Sequence, residues 1–89
     1  MKSKTKKSFR DLLKQLPKAI RVQARVSYKL FLLNPQHPGL RFKLVKYDPF
    51  VYSARVGQSY RALGYLEGDR ITWYWIGSHA DYDKELKKL

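Results

Sequence analysis

Residues 60–76 read YRALGYLEGDRITWYWI, and this stretch decides the fold. Tyr60 to Leu66 and Ile71 to Ile76 are rich in β-branched and aromatic side chains, and each reads as a strand. Glu67-Gly-Asp-Arg70 between them is a tight-hairpin signal. A turn at Gly68-Asp69 sets Tyr65 opposite Thr72, Leu63 opposite Tyr74 and Arg61 opposite Ile76. Tyr60, Ala62, Leu66, Ile71, Trp73 and Trp75 then share one face. Arg61, Leu63, Tyr65, Thr72, Tyr74 and Ile76 share the other. The Trp face is the more apolar and is expected to lie under helices. The Arg/Tyr face, joined by Ser53 and Arg55 of the neighbouring strand, is expected to look outward. A slip of one residue in the register would exchange the two faces.

Upstream, Phe50 to Val56 and Leu40 to Val45 alternate with the period of half-buried strands, separated by an Asp48-Pro49 turn. Gly57-Gln-Ser59 breaks the chain before the hairpin. Asn34-Pro-Gln-His-Pro-Gly39 breaks it before the strands, and His37 there is a turn residue. A helix is expected from Ser8, where Ser8-x-x-Asp11 resembles a capping box and Phe9, Leu12, Leu13 and Leu16 fall at helical spacing. A second helix is expected from Pro17 to Leu33. It carries an acid-free stripe of Lys18, Arg21, Arg25 and Lys29, with apolar residues around most of the remaining circumference. Downstream of the hairpin, Gly77 ends the last strand, and Ser78-x-x-Asp81 opens a short helix edged by Tyr82, Leu86 and Leu89. The expected fold is α+β: an N-terminal helical hairpin on one face of a four-stranded antiparallel sheet, then a short C-terminal helix. Residues 1–89 read as a single domain, with 1–7 as a basic, flexible tail.

Charge is divided unevenly. Residues 1–46 hold thirteen Lys/Arg against Asp11 alone, and the second half is neutral. A field of this size attracts polyanions over a Debye length of roughly 8 Å at physiological salt. The absence of cysteine excludes disulfides and thiolate metal sites and is compatible with a reducing cytosol. No apolar run approaches the roughly 20 residues of a membrane span. The basic start leads into an amphipathic helix and not an apolar run, so no secretory signal is expected and a cytoplasmic location is.

Tyr52-Ser-Ala-Arg-Val-Gly57, Tyr60-Arg-Ala-Leu-Gly-Tyr65 and Ile76-Gly-Ser-His-Ala-Asp-Tyr82, in this order, resemble the RelE/ParE superfamily of toxins from bacterial type II toxin–antitoxin systems. The likeness runs from about Ser8 to Leu86. It implies one of two activities. Ribosome-dependent members cut messenger RNA in the ribosomal A site, whereas others poison DNA gyrase and cleave nothing. It also implies a cognate acidic antitoxin. A third reading is an inactive basic RNA-binding module of the same fold.

For RNA cleavage the 2′-OH must lose a proton, the phosphorane charge must be stabilised, and the leaving 5′-oxygen must gain a proton. The resemblance puts Arg61 at the phosphate. Arg55 either joins it there or is a solvated partner for an acid. His79 follows the last strand where nuclease members carry a basic residue. The helix dipole there disfavours imidazolium, which suits a neutral ring acting as base. The alternative is a surface histidine in the first turn. Tyr82 orients RNA, donates a proton or anchors its helix to the sheet. Tyr65, Tyr74 and Ser53, with Lys18, Arg21, Arg25 and Lys29 of the basic stripe, are the expected RNA-binding residues. Ser53 stands where the best-known RelE-type nuclease has lysine, which weakens the nuclease reading and leaves the gyrase reading untouched. No residues have metal-ligand spacing, and no cofactor is implied.

Overall fold

A computed structural model describes all 89 residues. The elements are β1 (Lys2–Thr5), α1 (Lys7–Lys14), α2 (Lys18–Leu33), β2 (Lys43–Leu44), β3 (Val51–Val56), β4 (Tyr60–Glu67), β5 (Arg70–Ser78) and α3 (His79–Leu86). The α+β class and the helical hairpin are as expected. The sheet differs: it has five strands in the order β1-β5-β4-β3-β2, and β1 runs parallel to β5. No helix is long and apolar enough to cross a membrane.

The extra strand comes from the segment read as a flexible tail. Lys2 to Thr5 pair with Arg70 to Trp73. Ser3 and Thr5 turn inward and the lysines outward. The Ser3 hydroxyl lies 2.9 Å from the Tyr28 hydroxyl of α2 and accepts from the Trp73 indole at 3.2 Å. One small side chain thereby ties strand, helix and sheet together. Charge alone hid this, because the inward residues are small and polar.

The capping box at Ser8 does not form. Lys6 occupies the N-cap of α1, Ser8 donates to the Tyr74 carbonyl, and Asp11 pairs with Lys7 at 2.7 Å, which holds the Asp11 carboxyl below its ordinary range. The strand expected over Leu40 to Val45 shrinks to two residues. Pro38–Leu40 is a 3₁₀ turn closed by the His37 ring accepting from the Gly39 amide. Arg41 then adopts a left-handed conformation at φ 47°. That kink keeps both Leu40 and Phe42 on the inner layer, so the apolar alternation is satisfied without a ladder.

The inner face carries the main core. Phe31 of α2 meets Trp73 and Phe42 edge-on at 5.3 and 5.1 Å, and Phe42 stacks on Tyr52 at 4.9 Å. Ala24, Ala54, Val56, Ala62, Ile71 and Ile76 complete the buried set. The outer face has a smaller cluster of Val45, Val51 and Leu63, covered by Tyr74, Trp75, Tyr82 and Leu86.

The hairpin turns where the sequence places it, with Glu67 opposite Arg70 and Tyr65 opposite Thr72. A β-bulge between Leu63 and Gly64 then shifts the register, setting Leu63 opposite Trp75, Ala62 opposite Ile76 and Arg61 opposite Gly77. Beyond Tyr74 every side chain of β5 changes face relative to a regular ladder. Trp75 joins the outer cluster and Ile76 the inner core, the reverse of the sequence assignment. Gly64 permits the irregularity: a Cβ there would lie 2.8 Å from Ile71 and Trp73 side-chain atoms.

Candidate nucleic-acid interface

The outer face has two unlike ends. Over Val45, Val51 and Leu63 it is covered by Tyr82 and Leu86 of α3. Toward the Gly57 turn lie Arg55 and Arg61, directly opposite each other across β3 and β4. Like charges in direct register repel, and neither arginine is in any of the ion pairs of the chain. Each is instead held by a carbonyl at its own strand end. Arg55 Nε donates to Gly57 O at 2.8 Å, and Arg61 Nη1 donates to Tyr60 O at 3.0 Å. Both side chains are half-buried. The result is a fixed pair of guanidinium groups with no counter-charge.

His79 comes to the same end. Its amide donates to Ser59 O at 2.8 Å, and it follows by two residues Gly77, the register partner of Arg61. Ser78 caps the helix it opens, accepting from the Asp81 amide at 3.2 Å. The exposed imidazole sits edge-on to Tyr82 at 5.9 Å, with Nδ1 3.5 Å from the Asp83 carboxylate. Tyr82 and Leu86, lower on the same helix, pack into the outer cluster, and the Tyr82 ring lies 6.5 Å from that of Trp75. Tyr82 thus anchors α3 to the sheet. Under this corner the Trp75 indole lies over Gly77, where a Cβ would come within 2.6 Å of it.

The other candidates are elsewhere. Ser53 is 2% exposed and presents no surface. Tyr65 and Tyr74 lie toward the other end of the same face, where Tyr65 is exposed. Tyr65, opposite Val51, is four residues along the ladder from the Arg55–Arg61 pair, about 13 Å. Its ring faces Phe50 at 5.7 Å. Tyr74, the bulged residue, is half-buried, and burial first, then Glu85 and Asp48, pushes its hydroxyl up to about 12. The mixed arginine–tyrosine surface expected from strand alternation is therefore two separate regions.

The basic stripe of α2 lies on the opposite layer, because α2 packs on the inner face through Ala24 and Phe31. Arg21 leaves the stripe altogether: its guanidinium donates to Leu16 O at 3.1 Å and Lys14 O at 3.4 Å, closing the C-terminal end of α1. Lys18, Arg25 and Lys29 remain exposed. The apolar residues between them are less buried than the helical wheel implies, with Val22, Val26 and Leu33 exposed. Sequence reading also passed over Lys43, which is opposite Ser53 and on the outer face. The signal was present in Val45, which buries in the outer cluster while Phe42 buries in the inner one.

Comparison with known proteins agrees with this architecture. The description "ParE-like toxin domain" matches residues 18–84. No curated protein sequence matches significantly. Among solved structures, a chain of the RelB–RelE antitoxin–toxin complex from Methanococcus jannaschii is similar, with TM-score 0.73 and 22% identity over 91% of this chain and 95% of that one. YafQ from E. coli strain BL21(DE3) gives TM-score 0.72 and 13% identity over 90% and 94%. The isolated RelE toxin of E. coli gives 0.65 and 13% over 98% and 96%. At these identities the likeness establishes the fold. The family match covers most of the length, and on that basis the chain belongs to the ParE-like toxin family, within the RelE/ParE superfamily of toxins.

Proposed function

We infer that the chain is an mRNA-cleaving toxin acting at the ribosome and neutralised by a cognate antitoxin. The observation that supports this reading is the Arg55–Arg61 pair, fixed in register without an acid, at the end of the sheet where His79 opens α3. Two guanidinium groups side by side match the oxygens of a phosphodiester, and their charge is worth most when the phosphorane forms. His79 takes the proton of the ribose 2′-OH as that oxygen attacks phosphorus. The bond to the 5′-oxygen breaks, leaving a 2′,3′-cyclic phosphate and, after proton return, a 5′-hydroxyl.

An antitoxin has two surfaces to use. One is the exposed apolar ridge of Val22, Val26 and Leu33, flanked by Lys18, Arg25 and Lys29, which suits an acidic amphipathic helix. The other is the edge of β5 beyond Trp73, where β1 has ended and a groove runs between α1 and α3.

The test is primer extension on messages from cells induced for wild type, Arg61→Ala and His79→Ala. Cleaved transcripts in wild type and intact ones in both variants are expected. Arrested cells with intact messages would favour the second reading, a gyrase poison without nuclease activity. The match to a ParE-like domain and the uncharged, buried Ser53 support that alternative. In that case His79→Ala stays toxic. Wild-type expression without any arrest would leave an inactive RNA-binding module.

A further inference from the structure

We propose that Lys43 of β2 is a third phosphate-binding cation of the outer face, extending the Arg55–Arg61 pair across a third strand toward the sheet edge. The inference rests on the reading of that pair as a phosphate site. It adds a residue that neither the hairpin sequence nor the family likeness singles out.

Register and alternation place Lys43. Lys43 is opposite Ser53 and Leu44 opposite Tyr52. Tyr52 and Phe42 stack in the inner core, whereas Val45 buries with Val51 and Leu63 in the outer cluster. Residues 43 and 45 therefore share the outer face. Arg55 is two residues beyond Ser53 on β3, so Lys43 and Arg55 are diagonal neighbours at a Cα separation of about 7–8 Å. The position directly opposite Arg55 belongs to Arg41, but the left-handed kink at φ 47° takes that residue out of the ladder. Lys43 is thus the cation of β2 that stays in register with the arginines.

Its surroundings suit an anion. Lys43 is exposed and takes part in none of the chain's ion pairs. Ser53, its buried partner, is small and uncharged, so nothing opposite competes for the ammonium. Lys43, Arg55 and Arg61 form a diagonal that crosses β2, β3 and β4 and ends beside His79. Strands lie about 4.8 Å apart, so the row spans on the order of 10 Å. That is long enough for more than one phosphate of an extended single strand. The arginines hold one phosphate and Lys43 a neighbouring one.

The competing role for a lysine on a short edge strand is to repel another sheet edge. The two roles part on charge reversal. A carboxylate at this position would guard the edge as well as the native ammonium does, but it would repel phosphate. Binding of a short fluorescein-labelled oligouridylate is followed by anisotropy over a salt series. The proteins are wild type, Lys43→Ala, Lys43→Arg, Lys43→Glu, Arg61→Ala and a control, Lys14→Ala, with thermal melts to show that each folds. Loss of one phosphate contact lowers the slope of log K against log salt by about 0.7 for a single strand. Lys43→Ala is expected to lose about that slope and about tenfold in affinity. Lys43→Arg should restore both, and Lys43→Glu should fall further. Wild-type slope and affinity in both Lys43→Ala and Lys43→Glu would overturn the assignment and leave Lys43 an edge guard. If Arg61→Ala also binds like wild type, the phosphate reading itself fails, and the role of Lys43 falls with it.

Discussion

The two faces of the sheet are built on opposite terms. The inner face is closed by two helices and an aromatic stack of Phe31, Trp73, Phe42 and Tyr52, and none of its buried residues is charged. The outer face has a cluster of three buried apolar residues, one eight-residue helix over one end, and two arginines in direct opposition at the other. Stability is concentrated on one side of a sheet so thin that the other side can hold an unfavourable arrangement. On the reading proposed above, a bound polyanion relieves the repulsion between the two cations.

Truncation tests the asymmetry most severely. Trp73→Ala should destabilise by about 3–5 kcal/mol in urea unfolding, since it opens the inner stack and frees the Ser3 hydroxyl. Leu63→Ala on the outer face should fall at the lower end of about 2–5 kcal/mol. A larger loss at Leu63 would break the comparison. Adding a methyl group comes next. Gly77→Ala drives a Cβ into the Trp75 ring and should destabilise by about 1–3 kcal/mol. A change in tryptophan fluorescence would accompany it. An unchanged spectrum would mean the indole does not lie over that glycine. Smaller still is Arg61→Thr, which removes one of two like charges in register and should leave stability unchanged or raise it by about 0.2–1 kcal/mol. The same variant should relieve growth arrest. A clear loss of stability would show that the arginines are structural.

A last test concerns pH. Burial raises Tyr74 to about 12 in the fold, against about 10 in an unfolded chain. The folded state therefore holds the phenolic proton more tightly. That contribution is complete below the unfolded value and fades as pH rises toward the folded one. Tyr74→Phe should lose less stability than wild type across that alkaline window, as measured by urea midpoints at both ends. Equal losses would place Tyr74 in water.

Much of this was legible in the sequence. Helix spacing gave α1 and α2, the Gly68-Asp69 turn set the hairpin, and Ser78 capped α3 as its position implied. Strand order set Arg55 beside Arg61 and brought the start of α3 to the same end of the sheet. What escaped reading were breaks in periodicity. The bulge at Leu63 and Gly64 leaves no mark except a glycine, yet it exchanges Trp75 and Ile76 between faces. Arg21 looked like part of a basic ridge because a wheel cannot show a neighbouring helix end within reach. Ser53 looked available because alternation gives the face but not what covers it.

The parallel pairing of β1 bears on how the molecule comes into being. Lys2 to Thr5 find their place only against Arg70 to Trp73, so an early-made segment must wait for a late-made one. Contacts this distant in the chain form slowly, because the intervening loop must close first. While the chain is being synthesised, Ser3 has neither its indole nor its strand, and Trp73 has yet to emerge. Closure of this edge of the sheet is thereby deferred until residues 70–73 have been made.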